Sequence, residues 1–185
     1  MKKFIYIVVL IIFGLSFNKQ SREKPNIILI VADDLGWTDL SYMGSKYYET
    51  PNIDKLSQSG ITFFNGYASS ANCAPSRATM MSGKYHPSHG IYTVSPSARG
   101  LDITRKIIPI KNTENLDLKF FTIAEMLKNE GYINAHVGKW HLGEKGNYPM
   151  DQGFDVNIGG WESGGPKGGY FSPYSNPNLK NGPEG

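Results

Sequence analysis

An α/β sandwich with a mainly parallel central sheet is the fold class this sequence predicts, and three observations carry it. A nearly continuous apolar, β-branched run spans Pro25 to Ala32 and ends at Asp33-Asp34. Such runs mark strands buried on both faces, as in parallel sheets. Behind it the pattern alternates strand, helix, strand, helix, strand, the order expected of parallel α/β architecture. Polar, chemistry-bearing residues then fall at strand carboxyl ends, Asp33 and Asp34 after the first run and Lys139-Trp140-His141 after the last. Open α/β sheets place their ligand crevices there.

Taken in order, Lys2 and Lys3 precede an apolar run from Phe4 to Phe13, and Gly14-Leu15-Ser16 follows as a small-x-small site. Residues 1–16 therefore read as a secretory signal peptide cleaved after Ser16. The run is shorter than the roughly 18–20 apolar residues of a spanning helix. Thr50-Pro51 reads as an N-cap with proline in the first helical turn, and Gly60 closes that helix. Ile61 to Tyr67 is expected to return as a second strand. Cys73 opens a short helix with Pro75 in its first turn and Gly83 past its end. Ser95 to Leu118 has no clear period and reads as a surface insertion. Thr122-Ile123-Ala124-Glu125 is a capping box opening a helix that stops at Gly131, and Tyr132 to Gly138 supplies the next strand. From Gly159 the chain is rich in Gly, Pro and Asn and reads as loop, with no later apolar element to close a domain. Residues 25–185 are thus expected to be the N-terminal portion of one catalytic domain, incomplete as it stands.

Composition narrows the function. The formal charge of +3 falls to +1 once Lys2 and Lys3 leave with the leader, so the basic balance is no argument for nucleic acid. Export implies an oxidising compartment, periplasmic or extracellular. A single cysteine, Cys73, cannot form an intrachain disulfide, and its flanks are polar and turn-like, so its role is expected to be chemical.

Asp33 and Asp34 would repel one another unless a cation compensated them, and carboxylate oxygens favour hard divalent ions. Asp39 reads as a loop or cap residue. At the start of the helix that Cys73 opens, free N–H groups and the helix dipole favour an anion. Arg77, one turn later, can hold an anionic group with paired hydrogen bonds. Lys139 and His141 lie two apart, so in an extended segment they face the same way. A cation and a proton-exchanging imidazole on one face suit an anionic ester.

The stretch Cys73-Ala74-Pro75-Ser76-Arg77 (C-x-P-S-R) resembles the signature of the type I sulfatases, whose cysteine is oxidised to formylglycine. A second block, Gly131 to Gly143, is similar to that family's G-Y-x-T-A-x-x-G-K-W-H-L-G, with Asn134 where Thr is usual. D-D-L-G-W from Asp33 resembles its metal-binding turn, and the resemblance runs from about Pro25 to Pro173. It implies an alkaline-phosphatase-like sandwich and hydrolysis of sulfate esters on a sulfated glycan or an aryl sulfate. It implies a formylglycine hydrate made from Cys73 as nucleophile, one hydroxyl attacking sulfur and the other expelling sulfate. Ca²⁺, with Mg²⁺ as the alternative, would sit on Asp33, Asp34 and the modified Cys73. Arg77 and Lys139 would stabilise the developing charge, and His141 would orient or deprotonate the second hydroxyl. Implied partners are a formylglycine-generating, sulfatase-maturating enzyme and the secretion machinery.

Further positions carry weaker readings. Ser163 falls where sulfatases place a sulfate-contacting residue. His86 and His89 read as a structural turn beside the site, His136 as a satisfied strand histidine, and Met80 and Met81 as core. Trp161, Tyr170 and Tyr174 could stack on a sugar ring or pin their loop to the core. The family's second metal pair, leaving-group histidine and second lysine have no candidate before Gly185, so the chain is expected to be an inactive fragment of a longer enzyme. The rival readings are a phosphonate monoester or phosphodiester hydrolase of the same superfamily and a non-catalytic secreted protein that binds sulfated glycans.

Overall fold

A computed structural model of the protein describes residues 23–94, 96–98 and 100–181. The predicted leader, residues 1–16, lies outside the described residues. Two units are distinguished, one ending at Ala32 and one beginning at Asp33. In the first, residues 23–32 carry no regular secondary structure. The strand expected at Pro25 to Ala32 is therefore not formed, and Ile28 and Ile30 are more than 80% exposed. A parallel strand becomes regular only when neighbours complete its ladder and helices cover its faces. The same reason accounts for Ile61 to Tyr67, expected as a strand but irregular, with Ile61, Phe63, Phe64 and Tyr67 exposed.

The second unit carries helix α1 (Pro51–Ser59), α2 (Cys73–Ser82), a single turn α3 (His86–His89) and α4 (Ile123–Asn129). Strands β1 (Ala135–Val137) and β2 (Val156–Ile158) pair in parallel, with Ala135 opposite Val156 and Val137 opposite Ile158. Gly138 N–H extends the ladder to the Ile158 carbonyl at 2.8 Å. No helix among the described residues is long and apolar enough to cross a membrane.

The helix boundaries follow local chemistry. Gly83 ends α2 in the left-handed region at φ 65°, donating back to Thr79. Thr122 caps α4 reciprocally with Glu125, as the capping-box spacing predicts. Thr50 precedes α1 without capping a backbone amide; its hydroxyl instead bonds Asp54 Oδ1 at 2.8 Å.

The core lies where α2 meets the segment after β1. Ala74, Ala78, Ile91, Leu116, Trp140 and Leu142 form it, with Met81, Phe120 and Phe154 packed against it, whereas Met80 is exposed. Ala74 and Ala78 are one turn apart and bury one face of α2, which leaves Cys73 and Arg77 together on the adjoining face. The stretch 95–118 is not wholly a surface insertion. Leu116 is fully buried and its N–H donates to the Leu142 carbonyl at 2.8 Å. The side chain of Asn112 accepts from the amides of Tyr92 and Thr93.

Candidate active site

Two stretches build the site, the first turns of α2 and the residues that follow β1. Cys73 is the first residue of α2 and is partly exposed. Arg77, four residues on, reaches across 62 residues of sequence: its Nη1 donates to the Lys139 carbonyl at 2.6 Å. Its Nη2 lies 3.7 Å from Asp33 Oδ1. Lys139 Nζ donates to Asp33 Oδ2. One carboxylate thus faces two cations, and Arg77 is not the solvated cation its sequence position alone would allow.

Lys139 and His141 are presented by the residue between them. Trp140 is buried, with its Nε1 donating to the Asn147 carbonyl at 2.8 Å. The segment is not the extended strand expected there, because His141 adopts φ 61°. That conformation is uncommon outside glycine, and histidine is among the residues that tolerate it best. His141 N–H donates to the Trp161 carbonyl at 3.1 Å, which holds the turn.

The electrostatics are those of an anion-handling cluster. Burial works against the charge of Asp33, yet the Lys139 hydrogen bond and the fields of Lys139, Arg77 and His141 outweigh it and hold its carboxyl below its ordinary value. Burial lowers the His141 pKa, and the charges of Lys139 and Arg77 lower it further against the opposing pull of Asp33. The imidazole is therefore poised as a neutral base. Its Nδ1 is buried without a hydrogen-bond partner among the described residues. A cavity of about 250 Å³ lies beside it, lined in part by Ala74, Thr93, His141, Glu144 and Glu162.

The other predicted residues divide. Asp34 sits at φ 56° in the turn after Asp33, and among the described residues it makes no ion pair with Arg77 or Lys139. Ser163 spends its hydroxyl on the Gly165 carbonyl at 2.8 Å. Asp39 is a loop cap, accepting from Gly36 N–H at 2.8 Å. His89 is buried, accepts at Nδ1 from Ile91 N–H and meets the Thr79 hydroxyl at Nε2, so it is structural as expected. His136 is satisfied in part, interacting with the Lys139 backbone and the Asn157 side chain, while its Nδ1 has no hydrogen-bond partner among the described residues. Trp161 is 7% exposed and pins its loop, while Tyr170 is exposed. Asn134 is structural, its buried Nδ2 donating to the Ala124 carbonyl at 2.9 Å. Sequence reasoning missed the segment Trp161 to Gly164 as the support of His141, since no periodicity or motif marks it.

Among the described residues no three His, Cys, Asp or Glu side chains gather as a cation cage. Asp33 and Asp34 fit a hard divalent ion by donor chemistry, but two carboxylates fall short of the six to eight oxygens that Ca²⁺ takes. Arg77 and Lys139 lie against Asp33 from two sides.

Comparison with known proteins gives this chain its relatives. The family model described as Sulfatase matches residues 25–175. The chain is 36% identical over 162 residues to human N-acetylgalactosamine-6-sulfatase, covering 85% of this chain and 29% of that protein. It is 40% identical over 179 residues to a sulfatase of Formosa agariphila, covering 85% and 31%. Among solved structures it resembles Ps i-CgsB, including its complex with k-i-k-neocarrahexaose. The TM-score is 0.66 with 37% identity, over 80% of this chain and 30% of that one. The chain therefore spans about 30% of the length of these relatives.

Proposed function

This chain belongs to the sulfatase family, whose members generally use a formylglycine and a divalent cation, and we propose that it carries the nucleophile-bearing part of an enzyme that hydrolyses sulfate esters of glycans. The observation that supports this most directly is the convergence of Arg77, Lys139 and Asp33, with Arg77 one turn from Cys73 on α2 and His141 in the same electrostatic cluster. This gathers an anion-stabilising pair and a neutral base, one of the pair carried on the helix that the family's modified residue opens. The alternative of a phosphonate or phosphodiester hydrolase is less favoured, because the matched relatives are named for sulfate esters.

In this reading a formylglycine at position 73 supplies a geminal diol as nucleophile, and a divalent cation held by Asp33 and Asp34, Ca²⁺ by preference, would neutralise ester oxygens. Every remaining role falls to side chains of this chain. Lys139 places a positive charge where an ester sulfate would gain negative charge during transfer. Arg77 fixes Lys139 from the side of its carbonyl and keeps Asp33 ionised. Donors organised before the reaction are worth about 2.7–4 kcal/mol each in such sites. His141, its pKa held below the ordinary value, accepts a proton from the position-73 hydroxyl through a ring nitrogen without a hydrogen-bond partner among the described residues. The 37% identity to Ps i-CgsB, solved with a neocarrahexaose, favours a sulfated galactan as the glycan. The basic apolar leader favours export to periplasm or medium.

The test uses the full-length protein produced with a maturating enzyme. Release of sulfate from p-nitrophenyl sulfate and from carrageenan oligosaccharides is measured, and the peptide containing residue 73 is weighed by mass spectrometry. Active enzyme with an unmodified thiol at Cys73 would refute the nucleophile. Faster turnover of an aryl phosphonate ester than of the sulfate would move the protein to the rival class.

A further inference from the structure

We infer that Gly164 is a positioning residue for His141: the absence of a side chain at 164 sets where the imidazole stands. The inference rests on the reading above, in which His141 accepts the nucleophile's proton. A Cβ added at Gly164 would lie 2.7 Å from His141 Nδ1 and 2.8 Å from Nε2. Both are well inside the roughly 3.5–4.0 Å of ordinary contact. Gly164 does not adopt a left-handed backbone conformation, so glycine is needed there for space and not for φ. A Cβ added at its neighbour Gly165 would meet nothing within 4 Å, so that position carries no such constraint.

The surface on which the ring rests is itself fixed from several sides. The Trp161 carbonyl accepts from His141 N–H, so the same short segment holds both the backbone and the ring of this residue. Trp161 is 7% exposed, and Lys167 lies 5.2 Å from its ring centroid. Glu162 accepts from the Tyr148 hydroxyl at 2.6 Å, and the Ser163 hydroxyl closes onto the Gly165 carbonyl. A segment held this way cannot yield easily to an added methyl, so the imidazole must move. Because the His141 backbone is committed to its left-handed turn, the movement is taken up as ring rotation. A misplacement of about 1 Å at a reacting group can cost about 10²-fold in rate.

The experiment is a double-mutant cycle in the full-length protein: wild type, Gly164→Ala, His141→Ala and the pair, with Gly165→Ala as control. Turnover of p-nitrophenyl sulfate and thermal midpoint are both read. Gly164→Ala is expected to lower kcat about 10- to 100-fold while KM changes less than about threefold. Gly165→Ala is expected to stay within about twofold of wild type. In the His141→Ala background the added methyl meets no ring, so Gly164→Ala should cost no further kcat beyond about twofold and no thermal midpoint. If Gly164→Ala fails to fold, folding of the double variant still supports the inference. Unchanged kcat in Gly164→Ala overturns it, as do equal losses in both backgrounds or failure of the double variant to fold. An inactive wild type would sink the functional reading, whereas an active wild type with an additive cycle sinks this inference alone.

Discussion

Lowering the pH from about 7 to about 4 is expected to destabilise this domain in part through His136, whose pKa is lowered to about 4. It lies in β1 opposite Asn157, with its ring edge-on to Trp140 at 5.2 Å and to Phe154 at 5.4 Å. Burial, and then the charge of Arg77, lower its pKa from 6.5 to about 4, offset only in part by the Lys139 backbone and the Asn157 side chain. An unfolded chain therefore binds this proton as the pH falls through about 6.5, while the folded chain resists it until about 4. Stability is fully present above the first value, is lost progressively between the two, and is level below the second. At about 1.36 kcal/mol per pH unit the gap caps the loss near ~3 kcal/mol. The residue is only partly buried, and screening reduces this to about 1–2 kcal/mol. For a domain of 150–250 residues that is a fall of about 2–8 °C in thermal midpoint. Calorimetric scans of wild type and His136→Gln between pH 7.5 and 4 measure it, and only the slopes matter, so a difference in baseline stability is harmless. Parallel slopes for the two proteins would refute the reasoning.

Other expectations concern the site and its scaffold. Arg77→Lys keeps the charge but cannot serve the Lys139 carbonyl and Asp33 with one planar fork; kcat on p-nitrophenyl sulfate should fall about 10- to 100-fold, and about 10²–10³-fold in Arg77→Ala. Thr122→Ala removes the α4 cap and leaves the Gln152 carbonyl, which accepts from the Thr122 hydroxyl at 2.7 Å, without that donor. A loss of about 2–3 kcal/mol in urea titration is expected, with Thr122→Ser keeping most of it. Asn134→Thr gives up the amide donor to the Ala124 carbonyl and should cost about 1 kcal/mol, with kcat unchanged.

What was legible in the sequence was chiefly local. The reciprocal Thr122–Glu125 cap and the left-handed Gly83 depend on neighbours three to five residues away, and both are found where the motif places them. Burial at long range was not legible. The apolar run before Asp33 reads as a buried strand, yet its side chains are exposed, because burial of a parallel strand depends on elements distant in sequence. The grouping of Lys139 with His141 was anticipated from a two-residue period, but a buried indole and a left-handed histidine accomplish it instead. The contact of Arg77 with the Lys139 carbonyl joins two motifs separately visible in the sequence, and no spacing rule connects them. The pressure of the imidazole on Gly164 was hidden for the same reason.

The buried Trp140 has a consequence for how this site tolerates change. Its two neighbours carry the polar chemistry, and both flank an indole locked by its N–H and by the rings of His136 and Phe154. Errors at that anchor are transmitted to both polar groups at once and in a correlated direction. A substitution at position 140 therefore acts as a single mechanical input with two chemical outputs, whereas changes at 139 or 141 stay separate.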